Sequence, residues 1–445
     1  MSGEHNYLSK KYKTKYKTKD KIKYKIKYKT NLNKTKKFKQ KKVTTQKKLL
    51  KLKGGKFLDK GGFGCVVKPA LPCNHLNKDI KNINNYVSKI VSNSNIEDIS
   101  HEIEISTILN KIDPDNKFFI TVIDYCNITN LPKDRTDVIN VKYKNDKHKK
   151  YNTSSKPNLD KKYCHMNLDD KPFNLILPFG GISLSKIMKV DRKKTNNIKS
   201  IMHKLFIVNI KAIFKHLLIG IAYMHKHKIV NKDIKQKNIM LYLDPNKISK
   251  LKNVDMSNKI PDILDIMNVR YIDFGLSKYI LPSQINKKSI DLSGTYRYLA
   301  PERYISYSLI KYNTKSIDYV KKEIKEKTKH VKEALQRIGE DNMINNLEET
   351  ISKLYKKINF LHQNDTLIDK YFGLNTNQNY NSYIQKSDIY ALGITLFDTL
   401  QYKDYSNVDV RENTLLYDLL LKMIEIDPDK RYNIVECINH SYFTN

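Results

Sequence analysis

The sequence lacks tryptophan, any C-x-x-C pair and any long apolar run. Its cysteines are scattered and odd in number, so we predict reduced thiols and no disulfide or zinc framework. These are Cys65, Cys73, Cys126, Cys164 and Cys437. The first residues contain no apolar segment of a secretory signal, and no stretch approaches the roughly 18 apolar residues that a membrane span needs. We therefore expect a soluble, intracellular protein, with nuclear and virion-associated locations left open.

Acidic residues are also scarce. The 445 residues contain 83 Lys and Arg against 46 Asp and Glu, which gives a formal net charge of +37. Residues 1–53 contain 21 Lys, no Arg and only two acidic residues, Glu4 and Asp20. A basic balance favours acidic partners such as nucleic acid, anionic lipid or acidic protein substrates. With 40% apolar residues the chain can form a core, so global disorder is excluded.

The basic N-terminal tail, residues 1–53, has a regular pattern. In SKKYKTKYKTKDKIKYKIKYKT (9–30), Lys occupies every odd position from 11 to 29, and Tyr, Thr and Ile fill nearly all the even ones. Period 2 is compatible with a strand, but self-repulsion predicts a disordered tail. A tail that binds nucleic acid, with lysines on phosphates and tyrosines stacked on bases, is the sharper alternative. Nuclear targeting would use the same lysines.

Folded sequence is predicted from Gly54 onward. Polar stretches at about 127–170, 242–268 and 305–384 are predicted to be surface insertions. The third contains YVKKEIKEKTKHVKEALQRI, whose apolar spacing predicts a solvated helix or helical hairpin. By contrast, FIVNIKAIFKHLLIGIAYMHKHKIV (206–230) has apolar residues at steps of three and four, which predicts a buried helix.

A glycine-rich segment, FLDKGGFGCVVKPA (57–70), has three glycines within four residues, followed by alternating valines. Glycine lets a backbone approach a phosphate closely, so that its N–H groups point at the anion. A hairpin without a ligand would explain the same letters. The segment resembles the glycine-rich loop of protein kinases, with Asp59 in place of the first glycine. The nucleotide-binding residues that this resemblance implies here are Asp59, Lys60, Gly61, Gly62, Phe63, Gly64, Cys65, Val66 and Val67.

Lys89 follows in the β-like run YVSKIV. A strand lysine is usually solvated, but the kinase family uses one here to hold the α- and β-phosphates. Its carboxylate partner is sought in EDISHEIEISTILNKID. Glu104 is the first choice, because the isoleucines after it indicate a helix whose Glu faces inward, and Glu102 is the alternative.

The segment NLILPFGGISL (174–184) resembles the hinge between the two kinase lobes. The resemblance implies that Leu177 is the gatekeeper, and that the Pro178 carbonyl and the Gly180 N–H bond adenine. Proline lacks an N–H, but the group needed at position 178 is the carbonyl.

Two short segments contain the residues predicted to carry the chemistry. In VNKDIKQKNIML (230–241), Asp233 and Asn238 stand five residues apart with Lys235 between them, and YIDFGLSK (271–278) contains Asp273. Phosphoryl transfer needs a carboxylate to accept the hydroxyl proton, a cation beside the phosphate and oxygen ligands for Mg²⁺. The resemblance implies that Asp233 is the base, that Lys235 contacts the γ-phosphate, and that Asn238 and Asp273 bind the metal.

Further segments extend the resemblance in order along the chain: SGTYRYLAPE (293–302), KSDIYALGITLF (386–397) and DPDKRYNIVECINHSYF (427–443). The chain resembles eukaryotic-type serine/threonine protein kinases over about residues 55–445, and its insertions and composition are similar to those of kinases from large DNA viruses. Lys235 and Thr295 favour Ser/Thr specificity, and protein substrates, ATP and Mg²⁺ are implied. Asp388 is implied to brace the catalytic loop, which is the segment 230–241, and Ser289 and Ser293 are candidate phosphorylation sites.

The implied fold class is α+β. It is a two-lobed kinase-like fold with a small β-rich N-lobe at 54–180 and a mainly helical C-lobe at 181–445, preceded by the disordered tail.

Two residues depart from the family pattern. Asn231 replaces a His that packs against the Asp-Phe-Gly segment, and Lys232 replaces an Arg that grips a phosphorylated loop. Lysine offers a point charge without a bidentate fork. An active kinase is the first hypothesis. A pseudokinase scaffold and a nucleic-acid-associated protein acting through residues 1–53 are the alternatives.

Overall fold

An antiparallel sheet opens the folded part of the chain. The computed structural model describes residues 56–60, 64–71, 73, 80, 82–92, 96–127, 139–141, 164–166, 172–189, 198–247, 260, 262–280, 293–300, 303, 377–400, 410–425 and 427–444, with isolated residues between 325 and 352. The predictions for the basic tail and for Ser289 lie outside these residues.

Twelve strands are formed by the described residues. They are β1 (Lys56–Lys60), β2 (Gly64–Lys68), β3 (Tyr86–Val91), β4 (Asp124–Asn127), β5 (Ile139–Val141), β6 (Cys164–Met166), β7 (Phe173–Pro178), β8 (Ile182–Ser183), β9 (Ile229–Val230), β10 (Ile239–Leu243), β11 (Met267–Tyr271) and β12 (Lys278–Tyr279).

The α-helices are numbered in the same way. They are α1 (Ile96–Ile112), α2 (Leu184–Met188), α3 (Ile198–Val208), α4 (Ile210–Lys226), α5 (Ile263–Ile266), α6 (Asn377–Leu400), α7 (Val410–Met423), α8 (Ile434–Ile438) and α9 (Ser441–Thr444).

The β-rich part is a five-stranded sheet in the order β1-β2-β3-β7-β4, with every neighbouring pair antiparallel. Side chains alternate between its two faces. Val87 and Leu175 face α1 and pack against its Ile99 and Ile103. The other face is covered by the segment after β2, where Ala70 and Cys73 pack on Ile176. The central strands of the sheet are therefore packed on both faces.

The helical part contains the larger apolar core. The helix predicted from the spacing at 206–230 is interrupted, because Asn209 separates α3 from α4. The buried Asn209 side chain accepts from Ile260 N (2.8 Å) and donates to Leu205 O (2.9 Å). Helix α4 keeps its predicted buried stripe, including Phe214, Leu217 and Ile221, and leads into β9. Among the described residues no single helix has the length and apolar composition to cross a membrane, although α3 and α4, bent by 83°, have them jointly.

The predicted insertions are described only in part. Strands β5 and β6 form a parallel pair within 127–170. Both ends of the 242–268 stretch belong to the β10–β11 ladder, in which Leu243 pairs with Met267, so the segment between these strands is shorter than predicted. In the third stretch Lys325, Lys329, Lys332 and Gln336 are helical.

The prediction of reduced cysteines is wrong for part of the set. Cys73 and Cys126 form a disulfide with their Cα atoms 5.8 Å apart, and Cys65 is also disulfide-bonded. Cys73 follows β2 and Cys126 lies in β4, so the sheet brings together residues that are 53 positions apart. Cys437 is free and buried, and burial raises the pKa of its thiol.

Candidate active site

Three charged side chains meet beneath the sheet. The Lys89 ammonium lies 2.8 Å from both carboxylate oxygens of Glu102 and 2.8 Å from Oδ1 of Asp273. Lys89 stands in β3 opposite Val66 of β2, which places it on the face that α1 covers. The cluster joins the sheet, helix α1 and the segment after β11.

The choice of Glu104 as the partner of Lys89 is wrong, and the alternative, Glu102, holds that position. On α1 the buried residues include Ile99, Glu102 and Ser106, which lie on one helical face. Glu104 falls on the exposed side. Since the two glutamates are two positions apart, they are about 200° apart around the helix and cannot both face the sheet.

Burial and charge oppose each other in this cluster. Burial would lower the pKa of Lys89, but the two adjacent carboxylates outweigh burial and raise its pKa above the ordinary value. Burial raises the pKa of Glu102, and Lys89 offsets this only in part. Burial would also raise the pKa of Asp273, but Lys89 and Lys235 lower it below its ordinary value. The two carboxylates thus favour the charged form of Lys89, and Asp273 is the more readily ionised of the two carboxylates.

A second cluster surrounds Asp233, which is buried in the loop between β9 and β10. Its Oδ1 accepts from the Thr295 hydroxyl (2.7 Å) and from Thr295 N (3.1 Å). Its Oδ2 accepts from Lys235 Nζ (2.6 Å) and Asn238 Nδ2 (3.0 Å). Lys235 also donates to the Thr295 hydroxyl at 2.7 Å. Both carboxylate oxygens are therefore fixed in orientation, with a cation beside them.

Asp388 of α6 holds the backbone of the loop that carries Asp233. The buried Asp388 carboxylate accepts from the backbone N of Asn231 (2.8 Å) and of Lys232 (2.9 Å), and His225 Nε2 lies 3.1 Å from it. Lys232 adopts a positive φ of 68°, a conformation that costs free energy in a non-glycine residue and persists where surrounding contacts enforce it. These contacts match the bracing role predicted for Asp388.

The two predicted metal ligands are brought together by strand pairing. Ile239 and Tyr271 pair across β10 and β11, and Ile272 N donates to Asn238 O at 3.0 Å. Asn238 immediately precedes β10 and Asp273 comes two residues after β11, so the antiparallel ladder places both residues at the same end of the two strands. The Asn238 side-chain nitrogen donates hydrogen bonds to Asp233, which leaves the side-chain oxygen as the atom that can ligate a cation.

These residues fit Mg²⁺. An amide oxygen and a carboxylate are hard oxygen ligands, and Mg²⁺ commonly takes only one or two protein ligands, with phosphates and water completing its octahedron. Within the described ranges no group of three or more His, Cys, Asp or Glu side chains is placed to bind a metal. A site that relies on a bound phosphate agrees with that finding.

Apolar side chains of the sheet and of the helical part share one cluster, and we name its four partly buried members the apolar slot. Val66 of the sheet, Phe179 after β7, Met240 of β10 and Ile272 after β11 are partly buried and pack on the same apolar cluster. Sequence reasoning identified Val66 and missed Met240 and Ile272. The sequence contained a signal for both residues, because Met240 is two positions from Asn238 and Ile272 is one position from Asp273. In β10, Met240 lies between the buried Ile239 and Leu241, so it faces the opposite side of the strand.

The predicted hinge residues lie at the edge of this slot. Pro178 ends β7, Phe179 N donates to Asn85 O (2.8 Å), and Leu177 is buried in the sheet. A Cβ on Gly180 would lie 2.5 Å from Ile120 Cδ1 and 3.1 Å from Met240 Cβ, so a side chain at position 180 would displace its neighbours.

Strand alternation divides the predicted glycine-rich loop. Val66 faces the slot, whereas Cys65 and Val67 are buried on the opposite face of the sheet. Their side chains therefore face away from Val66, and the nucleotide contacts predicted for these two positions remain a prediction about the backbone. Lys60 ends β1 opposite Cys65, and Gly64 begins β2. The predicted positions Gly61, Gly62 and Phe63 lie outside the described residues.

Asp59 has a partner that the sequence did not suggest. It pairs with Val66 across β1 and β2, so its side chain is on the slot face. Its Oδ2 lies 2.6 Å from the Nζ of Lys186 in α2, and both side chains are about half exposed. This ion pair links the sheet to the first helix of the helical part.

Known proteins show similarity to this chain. A sequence model of the protein kinase domain matches residues 162–321, a range that includes Asp233, Asn238 and Asp273 but not Lys89. The chain is 37% identical over 92 residues to the DNA damage response protein kinase DUN1 of Saccharomyces cerevisiae, covering 21% of this chain and 17% of that protein. It is 32% identical over 197 residues to a probable serine/threonine-protein kinase of Dictyostelium discoideum, covering 43% of this chain and 24% of that protein.

A third match, to calcium-dependent protein kinase 4 of Plasmodium falciparum, is 32% identical over 99 residues and covers 22% of this chain and 15% of that protein. The matched segments thus span less than a quarter of each relative's own length.

Proposed function

The chain carries a protein kinase domain of the eukaryotic type, and from this premise we propose that it transfers the γ-phosphate of ATP to Ser and Thr hydroxyls of protein substrates. The observation that carries the proposal is the connection of two charged clusters. Asp273 of the first follows Ile272, whose N–H donates to Asn238 of the second. A base, a lysine beside it and two oxygen ligands for a cation are thereby held together.

In the proposed reaction Asp233 accepts the proton of the substrate hydroxyl. The hydroxyl oxygen forms a bond to the γ-phosphorus while the bond from that phosphorus to the leaving oxygen of ADP breaks. Lys235, 2.6 Å from Asp233, supplies positive charge beside the transferred group. Thr295 orients the Asp233 carboxylate from the opposite side.

The remaining residues bind the nucleotide. Lys89 pairs with the α- and β-phosphates, and Glu102 keeps its ammonium in place. Asn238 and Asp273 would hold Mg²⁺, which would neutralise charge on the phosphates. The apolar slot between Val66 and Met240 takes the adenine ring, with the Pro178 carbonyl and the Gly180 N–H at its edge.

Serine and threonine are the proposed acceptors. Lys235 and Thr295, the two residues that favour Ser/Thr specificity in the family, contact each other and the base. The names of the serine/threonine kinase relatives support the same acceptor class. Parallel assays on peptides that differ only in a Ser, Thr or Tyr acceptor test it, and preferential transfer to Tyr would contradict it.

The test of the activity is phosphate transfer from labelled ATP with Mg²⁺ to generic protein substrates, comparing the wild type with Asp233→Asn. Loss of a positioned general base costs about 10²–10⁴-fold, so we expect the variant to lose nearly all transfer. Equal signals from the two proteins would overturn the proposal. ATP binding without transfer above the Asp233→Asn level would instead favour the pseudokinase alternative.

A second proposal concerns the basic tail. We propose that residues 1–53 bind nucleic acid, because lysines recur at every second position from 11 to 29 and tyrosines occupy four of the positions between them. Lysines neutralise phosphates, and aromatic rings stack on bases without sequence preference. The two proposals are independent, since every residue named in the charged clusters lies after residue 53.

A further inference from the structure

Ser277, four residues after Asp273, is held on two sides. Its buried hydroxyl donates to the carbonyl of Asn231 at 3.2 Å. Its own carbonyl lies 2.5 Å from Nε2 of His101 on α1. Since a carbonyl only accepts, the Nε2 atom of His101 carries the hydrogen and donates it. Residues 273–277, which we name the metal-binding segment, are therefore tied both to helix α1 and to the catalytic loop.

Helix α1 holds both ends of the metal-binding segment with two adjacent residues. Glu102 reaches the front end through Lys89, which bonds Asp273. His101 reaches the back end directly at Ser277. Because the two contacts come from neighbouring positions of one rigid helix, a rotation or shift of α1 would disturb both together.

The catalytic loop is connected through Ser277 and not through the Asn231 side chain. The Asn231 amide oxygen accepts from Asp233 N at 3.0 Å, so it braces its own loop. The Asn231 carbonyl is the group that receives the Ser277 hydroxyl. A continuous series of bonds thus runs from His101 through Ser277 and Asn231 to Asp233.

We propose that His101 and Ser277 are positioning residues that align the metal-binding segment with both helix α1 and the base. Neither residue touches the reacting atoms; they act through Asp273 and Asp233. We call this pair of contacts the His101–Ser277 clasp. The proposal rests on the proposed kinase function, because alignment of Asp273 matters only if it holds the metal for phosphoryl transfer.

The test uses the full chain with four single variants. His101→Leu removes the donor, and Ser277→Ala removes the hydroxyl. His101→Gln keeps an N–H donor at a similar reach and is the rescue variant. Thr107→Val is the matched control, because it also removes one side-chain hydrogen bond of α1, the 2.8 Å bond to Ile103 O, but one that stays inside the helix.

A hydrogen bond contributes about 1 kcal/mol, which corresponds to about fivefold in an equilibrium. We therefore expect His101→Leu and Ser277→Ala each to lower kcat about fivefold and to raise the Mg²⁺ concentration for half-maximal rate, with KM for ATP within about twofold. His101→Gln should recover most of the loss, and Thr107→Val should match the wild type. A double variant that combines His101→Leu with Ser277→Ala tests whether the two contacts act in series. If they do, it should lose little more activity than the more impaired of the two single variants.

A purely structural role would lower the melting temperature and leave the Mg²⁺ requirement unchanged, and that result would overturn the clasp. Hydrogen exchange of the amides in the metal-binding segment gives a readout without activity. His101→Leu should exchange about fivefold faster there than Thr107→Val. If the wild type transfers no more phosphate than Asp233→Asn, the proposed function fails, and exchange still decides the clasp. Equal exchange in the two variants would overturn it whatever the activity.

Discussion

Glu102 faces Lys89 with both carboxylate oxygens 2.8 Å from the ammonium, while Glu104, two positions along the same helix, is exposed. We expect Glu102→Gln to lower kcat/KM for ATP at least about tenfold, because removing one partner of a buried charged pair is strongly unfavourable. Glu104→Gln should stay within about twofold, since exposed charges contribute little. Steady-state kinetics on the two single variants measure the difference.

The comparison is sharp because the two substitutions are chemically identical and share one helix. A larger loss in Glu104→Gln than in Glu102→Gln would mean that helix α1 is rotated in the working enzyme. Circular dichroism of both variants shows whether the fold is retained.

Thr295 gives a second expectation. Its hydroxyl donates to Asp233 and accepts from Lys235, both at 2.7 Å. Thr295→Val keeps the shape but removes both bonds beside a charged pair, so we expect kcat to fall about tenfold or more. Thr295→Ser keeps the hydroxyl and should retain most activity. An active Val variant would show that Asp233 does not need the Thr295 hydroxyl, since the backbone N of residue 295 still donates to it.

The sequence predicted best the groups that stand close together along the chain. Asp233, Lys235 and Asn238 lie within six residues, so their spacing alone places them in one loop, and the structure brings them into contact. Lys89 was predicted by its position after the glycine-rich segment. The isoleucines after Glu104 favoured it as the inward-facing residue. Isoleucines also follow Glu102, so the pattern does not separate the two glutamates, and only packing against the sheet decides between them.

Contacts between distant segments left no signal in the sequence. Lys186 is 127 positions from Asp59, and Cys126 is 53 positions from Cys73, so neither pairing follows from local spacing. The break at Asn209 was missed for a related reason. Its side chain bonds Ile260 from a different part of the chain, and that tertiary contact overrides the continuous apolar pattern.

The Asp59–Lys186 pair leads to a prediction about nucleotide affinity. Asp59 stands where a glycine is expected and faces the slot, and Lys186 offsets its charge at 2.6 Å. We expect Lys186→Glu to weaken ATP binding about two- to fivefold at low salt, since half-exposed pairs contribute up to about 1 kcal/mol. The charge swap Asp59→Lys with Lys186→Glu should restore affinity. Displacement of a fluorescent nucleotide measures both.

Salt provides the control for this pair. Added salt screens exposed charges, so the difference between wild type and Lys186→Glu should shrink as ionic strength rises. If the double variant binds ATP no more tightly than Lys186→Glu alone, the two residues do not act as a pair.

The basic tail gives the last prediction. Deleting residues 1–53 removes 21 lysines, so we expect it to abolish salt-sensitive binding to single-stranded DNA or RNA while phosphate transfer is retained.

A second variant separates charge from stacking: replacing Tyr12, Tyr16, Tyr24 and Tyr28 by Ser keeps every lysine. Stacking contributes about 1–3 kcal/mol per base, so this variant should bind more weakly with an unchanged salt slope. Titrations at several salt concentrations measure both quantities. Unaltered binding after the deletion would place the nucleic-acid site outside the tail. Unaltered binding in the serine variant would mean that the tail binds through its lysine charges alone, without stacking by the tyrosines.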